Sequence, residues 1–190
     1  MNVDVGITRP HIQAACRITR WIDEHPRVFW GLVIVYAAIF TMAALSPWYQ
    51  IHMRDQESWP FHTVFLIRKG MLPERGELVA FRLREEYVKR LEPHAPRTQI
   101  PVNTIWMKRV LGMPGDLVDI VANQVVINGQ PVASGFGRDR FNVPISLTRF
   151  RGEIPPHQYY VSLPHPRSFD SRYYGMVNER VVIGLAVPLF

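Results

Sequence analysis

The sequence of 190 residues contains one cysteine, Cys16, so it cannot form an intramolecular disulfide. Its seven histidines show neither the H-x-x-x-H nor the Cys–His spacings of metal sites. The segment GFG at 135–137 has neither the preceding strand nor the following helix of a phosphate-binding loop. We therefore expect no metal and no nucleotide or other cofactor.

A continuous basic stripe is also missing, although the net charge is +6. The 22 lysines and arginines are scattered and often stand beside acidic residues, as in ERGE at 74–77 and RLREEYVKR at 82–90. A basic balance can favour nucleic acid or an anionic membrane surface. Recognition of nucleic acid needs clustered cations or a known motif, so we expect no nucleic acid among the partners.

Charge is absent from one long stretch, residues 28–45, which read VFWGLVIVYAAIFTMAAL. As a helix, these residues rise about 27 Å, close to the roughly 30 Å of a bilayer core, and aromatic residues at both ends suit the interfaces. A cleaved signal peptide is the alternative, but 27 residues precede the run and no clear A-x-A site follows it. A buried core helix would show a polar face. We predict a membrane anchor over residues 28–47.

Arginines flank this anchor unequally. Four of them (Arg9, Arg17, Arg20 and Arg27) precede the apolar run, whereas Arg54 alone follows it before Arg68. The positive-inside rule then places residues 1–27 in the cytoplasm and residues 48–190 outside it. We expect a single-pass protein with an extracytoplasmic domain.

The predicted outer domain is rich in β-forming residues and in turn signals. Asn128-Gly129, between two apolar runs, is a strong hairpin signal. A helical turn followed by a proline-rich loop is expected within 85–101, and a long surface excursion within 134–156. The predicted strands cover residues 61–67, 76–83, 104–111, 117–122, 124–127, 130–133, 158–163 and 180–190. The fold class is therefore mainly β.

One lysine stands in an apolar, strand-like run, NTIWMKRVLGM at 103–113. A period of two puts Trp106, Lys108 and Val110 on one face and Arg109 on the other. Both faces are largely apolar, so at least one of the two cations is poorly solvated. Burial lowers the pKa of a lysine, and a neutral lysine can activate a serine hydroxyl. The alternative is a lysine whose stem lies on the sheet while its head reaches water.

A serine with nucleophilic potential, Ser58, lies in QESWPF, 13 residues beyond Leu45. Thirteen extended residues reach at most about 45 Å, so Ser58 is expected near the membrane surface. A serine before Trp-Pro is, taken alone, more typical of a turn. Local evidence leaves both interpretations open.

Four segments resemble, in the same order, the motifs of the type I signal peptidases. The lysine lies in KRVLGMPGD, which matches the family pattern Lys-Arg-hydrophobic-hydrophobic-Gly-hydrophobic-Pro-Gly-Asp. The segment SFDSRYYG matches Ser-x-Asp-Ser-Arg-Tyr-Trp-Gly, with Tyr174 in place of Trp, and PERGELVAF carries Glu77 where the family has Asp. Together with the closing strand VVIGLAV they occupy residues 73–81, 108–116, 168–175 and 181–187.

The resemblance implies a signal-peptidase-like β catalytic domain on one N-terminal transmembrane helix in the bacterial inner membrane. It implies a Ser–Lys dyad in which Ser58 attacks the scissile carbonyl, Lys108 takes its proton, and water releases the acyl-enzyme. Ser168 would hydrogen-bond Lys108, and Asp170 and Arg172 would form a structural ion pair. The substrate would be an exported precursor protein.

Departures from the housekeeping pattern resemble the TraF-type peptidases of conjugative transfer. Ser58-Trp59-Pro60 is one residue shorter than Ser-Met-x-Pro, and Gln56 stands where a second oxyanion-hole hydroxyl is common. SLPHPR at 162–167 replaces Gly-Asp-Asn. That branch implies a propilin substrate and other secretion-system components as partners. A general signal peptidase, a non-catalytic secretion component, a β binding module and a self-cleaving repressor are the alternatives.

Overall fold

The computed structural model describes residues 20–53, 64–89, 102–135, 147, 148, 150–165 and 168–189. The chain divides into two compact units, Met1–Ser46 and Pro47–Phe190. The first unit contains the apolar helix, and the second contains the β-strands.

Helix α1 spans Pro26–Leu45 and follows a short helical segment at 20–24. Proline suits the first turn, because it lacks an N–H group that the start of a helix leaves unpaired. None of its residues is buried within the protein. By length and composition α1 is able to cross a membrane, as the charge-free run at 28–45 predicts.

A seven-stranded antiparallel sheet forms the larger part of the second unit, in the order β1-β2-β11-β3-β4-β9-β10. One face of this sheet carries an apolar core that includes Val79 and Phe81 of β3 and Val110 of β4, and the other face carries a second core that includes Phe65 and Ile67 of β2. The strands are β1 Tyr49–Met53, β2 Val64–Lys69, β3 Leu78–Arg82, β4 Ile105–Gly112, β9 Gln158–Ser162, β10 Val177–Asn178 and β11 Val182–Pro188.

A four-stranded antiparallel sheet, in the order β7-β6-β5-β8, follows the lysine strand. Its strands are β5 Leu117–Val121, β6 Gln124–Ile127, β7 Gln130–Ser134 and β8 Gly152–Glu153. Asn128 and Gly129 both have positive φ, 50° and 79°, as a tight hairpin turn between β6 and β7 requires. Val118, Val125 and Ile127 form its core with Ile154 and Tyr160.

Short helical elements connect the strands. Helix α2 covers Glu85–Lys89, helix α3 covers Ser171–Tyr174, and a 3₁₀ turn covers Glu179–Val181. The helical turn predicted within 85–101 is therefore present at its start, and residues 90–101 lie outside the described part of the chain.

The mainly β prediction is confirmed, and some of its details are wrong. Strand β1 is missing from the predicted set; it exists because Tyr49–Met53 pairs with Val64–Arg68, a partner that local sequence does not reveal. The predicted surface excursion at 134–156 does not extend to residue 156. Gly152–Glu153 forms a strand that pairs with β5, and Ile154 is fully buried. The last predicted strand, 180–190, begins only at Val182, after the 3₁₀ turn.

Two glycines permit close approaches in the sheets. A Cβ on Gly184 would overlap the carbonyl oxygen of Arg68 on the neighbouring strand, where the β11–β3 register shifts. A Cβ on Gly112, at the end of the lysine strand, would lie 2.9 Å from Tyr160 Cβ and 2.6 Å from Ile154 Cδ1. Gly112 therefore lets β4 pack closely against the core of the smaller sheet.

Candidate active site

Strand β4 positions Lys108 with its side chain toward the protein interior. The strand alternates along its length, with Trp106, Lys108 and Val110 buried and the residues between them half-buried. Lys108 is only 1% exposed and pairs across the ladder with Val79, which is fully buried. Of the two neighbouring cations, Lys108 and Arg109, Lys108 is thus the buried one, and its head does not extend into water.

The lysine head group meets a hydroxyl and an aromatic face. Lys108 Nζ donates a hydrogen bond of 2.8 Å to Ser168 Oγ, which is itself fully buried. The same nitrogen lies 5.4 Å from the centre of the Trp106 ring, two residues earlier on the strand. The contact that the family resemblance implies between Lys108 and Ser168 is therefore present.

Arg172 fixes the backbone of Ser168 through a hydrogen bond to its carbonyl oxygen. Its Nη2 donates to the carbonyl oxygens of Ser168 and His165, both at 3.0 Å. The two residues are also joined directly, because Ser168 N donates to His165 O at 3.0 Å. A buried guanidinium with several donors can fix two carbonyls at once. Arg172 thereby restricts where the Ser168 hydroxyl can lie.

The charge of Arg172 is balanced by Asp170 in a bidentate pair. Nη2 and Nε of Arg172 reach the two carboxylate oxygens at 2.7 and 2.8 Å. Asp170 also accepts from Ser162 Oγ at 2.9 Å and caps helix α3 at the N–H of Arg172. Burial disfavours the charge of Arg172, but the hydrogen bonds and charge of Asp170 outweigh it and raise the pKa of the guanidinium.

Arg172 also contacts the backbone of Ser134 and of Thr148, which precede β8 in the chain. Its Nη1 donates to the carbonyl of Ser134, the last residue of β7, at 2.8 Å. Its own carbonyl accepts from Thr148 N at 2.6 Å. Arg172 therefore contacts three chain segments, those of Ser134, Thr148 and Ser168.

The turn after the lysine strand is closed by Asp116. The carboxylate accepts from Met113 N at 2.7 Å, from Asn128 Nδ2 at 2.7 Å and from Arg75 at 2.8 Å. The hydrogen bond from Arg75 is the largest of the effects that lower the pKa of Asp116. This network fixes the end of β4 to the hairpin of the smaller sheet and to the loop before β3.

Ser58 and Gln56 lie outside the described residues. The distances given above therefore concern Lys108 and its neighbours. Sequence reasoning did not identify Ser162 as a partner of Asp170, nor the carbonyl contacts of Arg172. Alternation placed Trp106 on the face of Lys108, as the structure has it, but gave the indole no role. Among the described residues, no three His, Cys, Asp or Glu side chains are grouped so that they could hold a metal ion.

A comparison with known protein families matches most of the chain to one family. The model of the signal peptidase family, peptidase S26, matches residues 24–190. Signal peptidase I from Leptolyngbya laminosa is 29% identical over 119 residues, which is 62% of this chain and 53% of that protein. The conjugal transfer protein TraF from Agrobacterium fabrum is 33% identical over 85 residues, 44% of this chain and 48% of that protein.

The matched relatives are longer than the region that they share with this chain. The chain spans about half the length of these curated relatives. Relatives named inactive signal peptidase IA, from Staphylococcus aureus, are 28% identical over 87 residues, 43% of this chain and 50% of those proteins. A solved signal peptidase I from Enterococcus faecalis covers 60% of this chain and 96% of its own, at a TM-score of 0.37 and 22% identity.

The family model covers the lysine strand and the segment of Ser168, Asp170 and Arg172, and relatives of both the signal peptidase I and the TraF kind are matched. The chain belongs to the type I signal peptidase family, peptidase S26, and within it is TraF-like.

Proposed function

We propose that this protein is a membrane-anchored serine endopeptidase that removes leader peptides from exported precursors with a dyad of Ser58 and Lys108. The observation that carries the proposal is the burial of Lys108, at 1% exposure, against the neutral hydroxyl of Ser168. Burial in an apolar core disfavours the ammonium form. A lysine that loses its proton near neutral pH can serve as a general base.

The reaction follows the chemistry of an activated serine. Ser58 Oγ attacks the scissile carbonyl while Lys108 Nζ takes the hydroxyl proton, and the amine product leaves with a proton returned by the lysine. Water, deprotonated by the same lysine, then attacks the acyl-enzyme and frees Ser58. The backbone N–H of Ser58 and the side-chain amide of Gln56 are our candidates for stabilising the oxyanion.

Ser168 and Arg172 would orient the base and take no part in proton transfer to substrate. Ser168 holds the lysine nitrogen, and Arg172 holds the Ser168 backbone through its carbonyl. Asp170 keeps the guanidinium in place and satisfies its charge. Such a supporting arrangement limits the lysine to a narrow range of positions, which proton transfer at hydrogen-bond distance requires.

A propilin of a conjugative transfer system is the proposed substrate. The matched TraF proteins are named for conjugal transfer, and the short Ser58-Trp59-Pro60 segment departs from the housekeeping pattern. The alternative substrate set is the range of general exported precursors, which the matched signal peptidases I favour. Other components of the secretion system are proposed partners.

The bilayer is a further proposed partner, and one face of the larger sheet supports it. Ile51 pairs with Leu66, which pairs with Val187, so these three side chains form a row across β1, β2 and β11. Ile51 is 59% exposed, and Met53 on the same face is 73% exposed. On the opposite face of these strands, Phe65, Ile67 and Ala186 are buried. We define the row with Tyr49, Met53 and Val64 as the outer apolar face.

The test uses the full chain in proteoliposomes with a propilin precursor and, separately, a general secretory precursor. Mass spectrometry of the products should show a cut close to the end of the precursor's apolar stretch. Ser58→Ala protein is the matched control. If the wild-type chain leaves every precursor intact, the non-catalytic alternative replaces the peptidase proposal. If it cuts the general precursor and leaves the propilin intact, the conjugative assignment is wrong.

A further inference from the structure

Ser168 and Trp106 both lie next to the Lys108 nitrogen, and they differ in how strongly they favour its charged form. Ser168 Oγ, at 2.8 Å, is a neutral group that can accept from the ammonium or donate to the amine. The Trp106 ring, with its centre at 5.4 Å, presents a π face with negative charge density. Attraction between a cation and such a face extends to about 6 Å and is strongest for tryptophan. The indole therefore favours the ammonium, whereas burial opposes it.

The indole is held in this position from two sides. Its Nε1 donates to Thr104 Oγ1 at 2.8 Å. Its ring meets the Phe169 ring edge to face, with centres 5.7 Å apart and planes at 70°. Phe169 follows Ser168 directly, so Lys108, Ser168, Phe169 and Trp106 form a closed set of contacts. A rigid ring keeps its face toward the nitrogen, which a mobile ring would not.

The strands and helices around Lys108 also carry ionisable groups, whereas the indole of Trp106 is neutral. Among the described residues they include the carboxylate of Asp170, which is engaged by the Arg172 guanidinium. They also include the guanidinium groups of Arg82 on β3 and Arg109 on β4, and the phenols of Tyr87, Tyr159, Tyr160, Tyr173 and Tyr174. Strand β3 contributes Val79 opposite the lysine, and Ser162 of β9 faces Arg109. The indole is thus a neutral group placed where it stabilises the cation.

We propose that Trp106 is a positioning residue for Lys108, whose indole face stabilises the ammonium form and holds the nitrogen beside Ser168. The consequence for catalysis rests on the proposed function, since it matters only if Lys108 is the base. The indole offsets part of the effect of burial, so Lys108 releases its proton at a higher pH than an aliphatic neighbour would allow. The acid limb of the pH–rate profile follows that proton.

The chain is well suited to a direct test, because it has three lysines, Lys69, Lys89 and Lys108. Full-length protein in detergent, labelled with ¹³C at lysine Cε, should give three resonances whose pH titration is followed by NMR. Lys108→Arg protein identifies the third signal. Lys89, which is exposed, serves as an internal reference.

Trp106→Leu should lower the midpoint of the Lys108 titration by about 0.5 to 1.5 pH units, and Trp106→Phe should lower it by less. Trp48→Leu, which removes an exposed tryptophan, should leave it unchanged. An unchanged or raised midpoint in the Trp106→Leu protein overturns the proposal. If the Trp106→Leu protein does not fold, the Trp106→Phe protein is the test. An unchanged or raised Lys108 midpoint in the Trp106→Phe protein then overturns the proposal.

Activity measured on the same proteins separates this inference from the proposed function. If both hold, the acid limb of kcat/KM shifts to lower pH in parallel with the Lys108 midpoint. A shifted midpoint in a chain that cuts no precursor supports the role of Trp106 and rejects the peptidase. A shifted acid limb with an unchanged midpoint rejects the role of Trp106.

Discussion

At the residue scale, Lys108 combines deep burial with a neutral hydrogen-bond partner. A guanidinium at this position would stay charged at any workable pH, so Lys108→Arg should abolish precursor processing although it preserves charge. Ser58→Ala and Lys108→Ala should each do the same. The double variant should lose little more, because the two groups act as a unit.

The measurement is the rate of precursor cleavage under single-turnover conditions, for the single variants and the double variant. Thermal unfolding in detergent is the control that the Lys108→Arg protein is folded. Near-normal cleavage by Lys108→Arg protein would make the lysine structural and the dyad wrong.

Asp116 gives a pH-dependent contribution to stability. Its pKa is lowered in the folded state, chiefly by the hydrogen bond from Arg75. Its stabilising effect is therefore present above the unfolded carboxyl value of about 3.9 and lost as pH falls through the folded pKa. We expect Asp116→Asn to reduce the free energy of unfolding by about 1–2 kcal/mol at pH 7, and by much less at pH 3.

Urea unfolding of the full chain at the two pH values checks this expectation. Asp119→Asn is the matched control, because Asp119 pairs with Arg151 where both side chains are more than half exposed. That pair should contribute little. A cost for Asp116→Asn that is equal at pH 3 and pH 7 would contradict the carboxylate as its source.

At the scale of elements, the outer apolar face departs from the usual pattern of an antiparallel sheet with one solvated side. In such a sheet the apolar residues normally face the core and the polar residues face water. In β1 the exposed residues are instead the apolar ones, Tyr49, Ile51 and Met53. Three residues, 46–48, separate β1 from α1 along the chain. A contiguous apolar patch of this kind marks a protein or membrane contact. We expect lipid to cover it.

A dye attached to the introduced thiol of an Ile51→Cys protein, on a Cys16→Ser background, should be quenched by lipid-borne nitroxides in proteoliposomes. Leu117→Cys on the smaller sheet is the matched control, since Leu117 is 58% exposed and Ile51 is 59% exposed. Equal quenching at the two sites would show that the outer apolar face has no special relation to lipid.

At the scale of the whole molecule, orientation in the membrane decides where the active site works. The four arginines before α1 predict a cytoplasmic N-terminus. A reporter that is active only in the cytoplasm should therefore work when fused to residue 1 and fail when fused to residue 190. The reverse result would move the proposed site of action to the cytoplasm, and reporter protein levels in both fusions are the control.

Sequence alone determined those features that depend on near neighbours. Alternation along β4 identified the face shared by Trp106 and Lys108, because successive strand residues point to opposite sides. Asn128-Gly129 identified its hairpin, because few residues tolerate positive φ. The motif around Lys108 and the one around Ser168 identified the family.

Tertiary structure decided what joins distant parts of the chain. Lys108 and Ser168 are 60 positions apart, and their contact depends on the pairing of β4 with β9 and on Arg172 holding the Ser168 carbonyl. Strands β1 and β8 were not predicted, and they exist through pairing with β2 and β5. Local sequence sets the preferences of a segment, but long-range pairing and burial choose among the partners that those preferences allow.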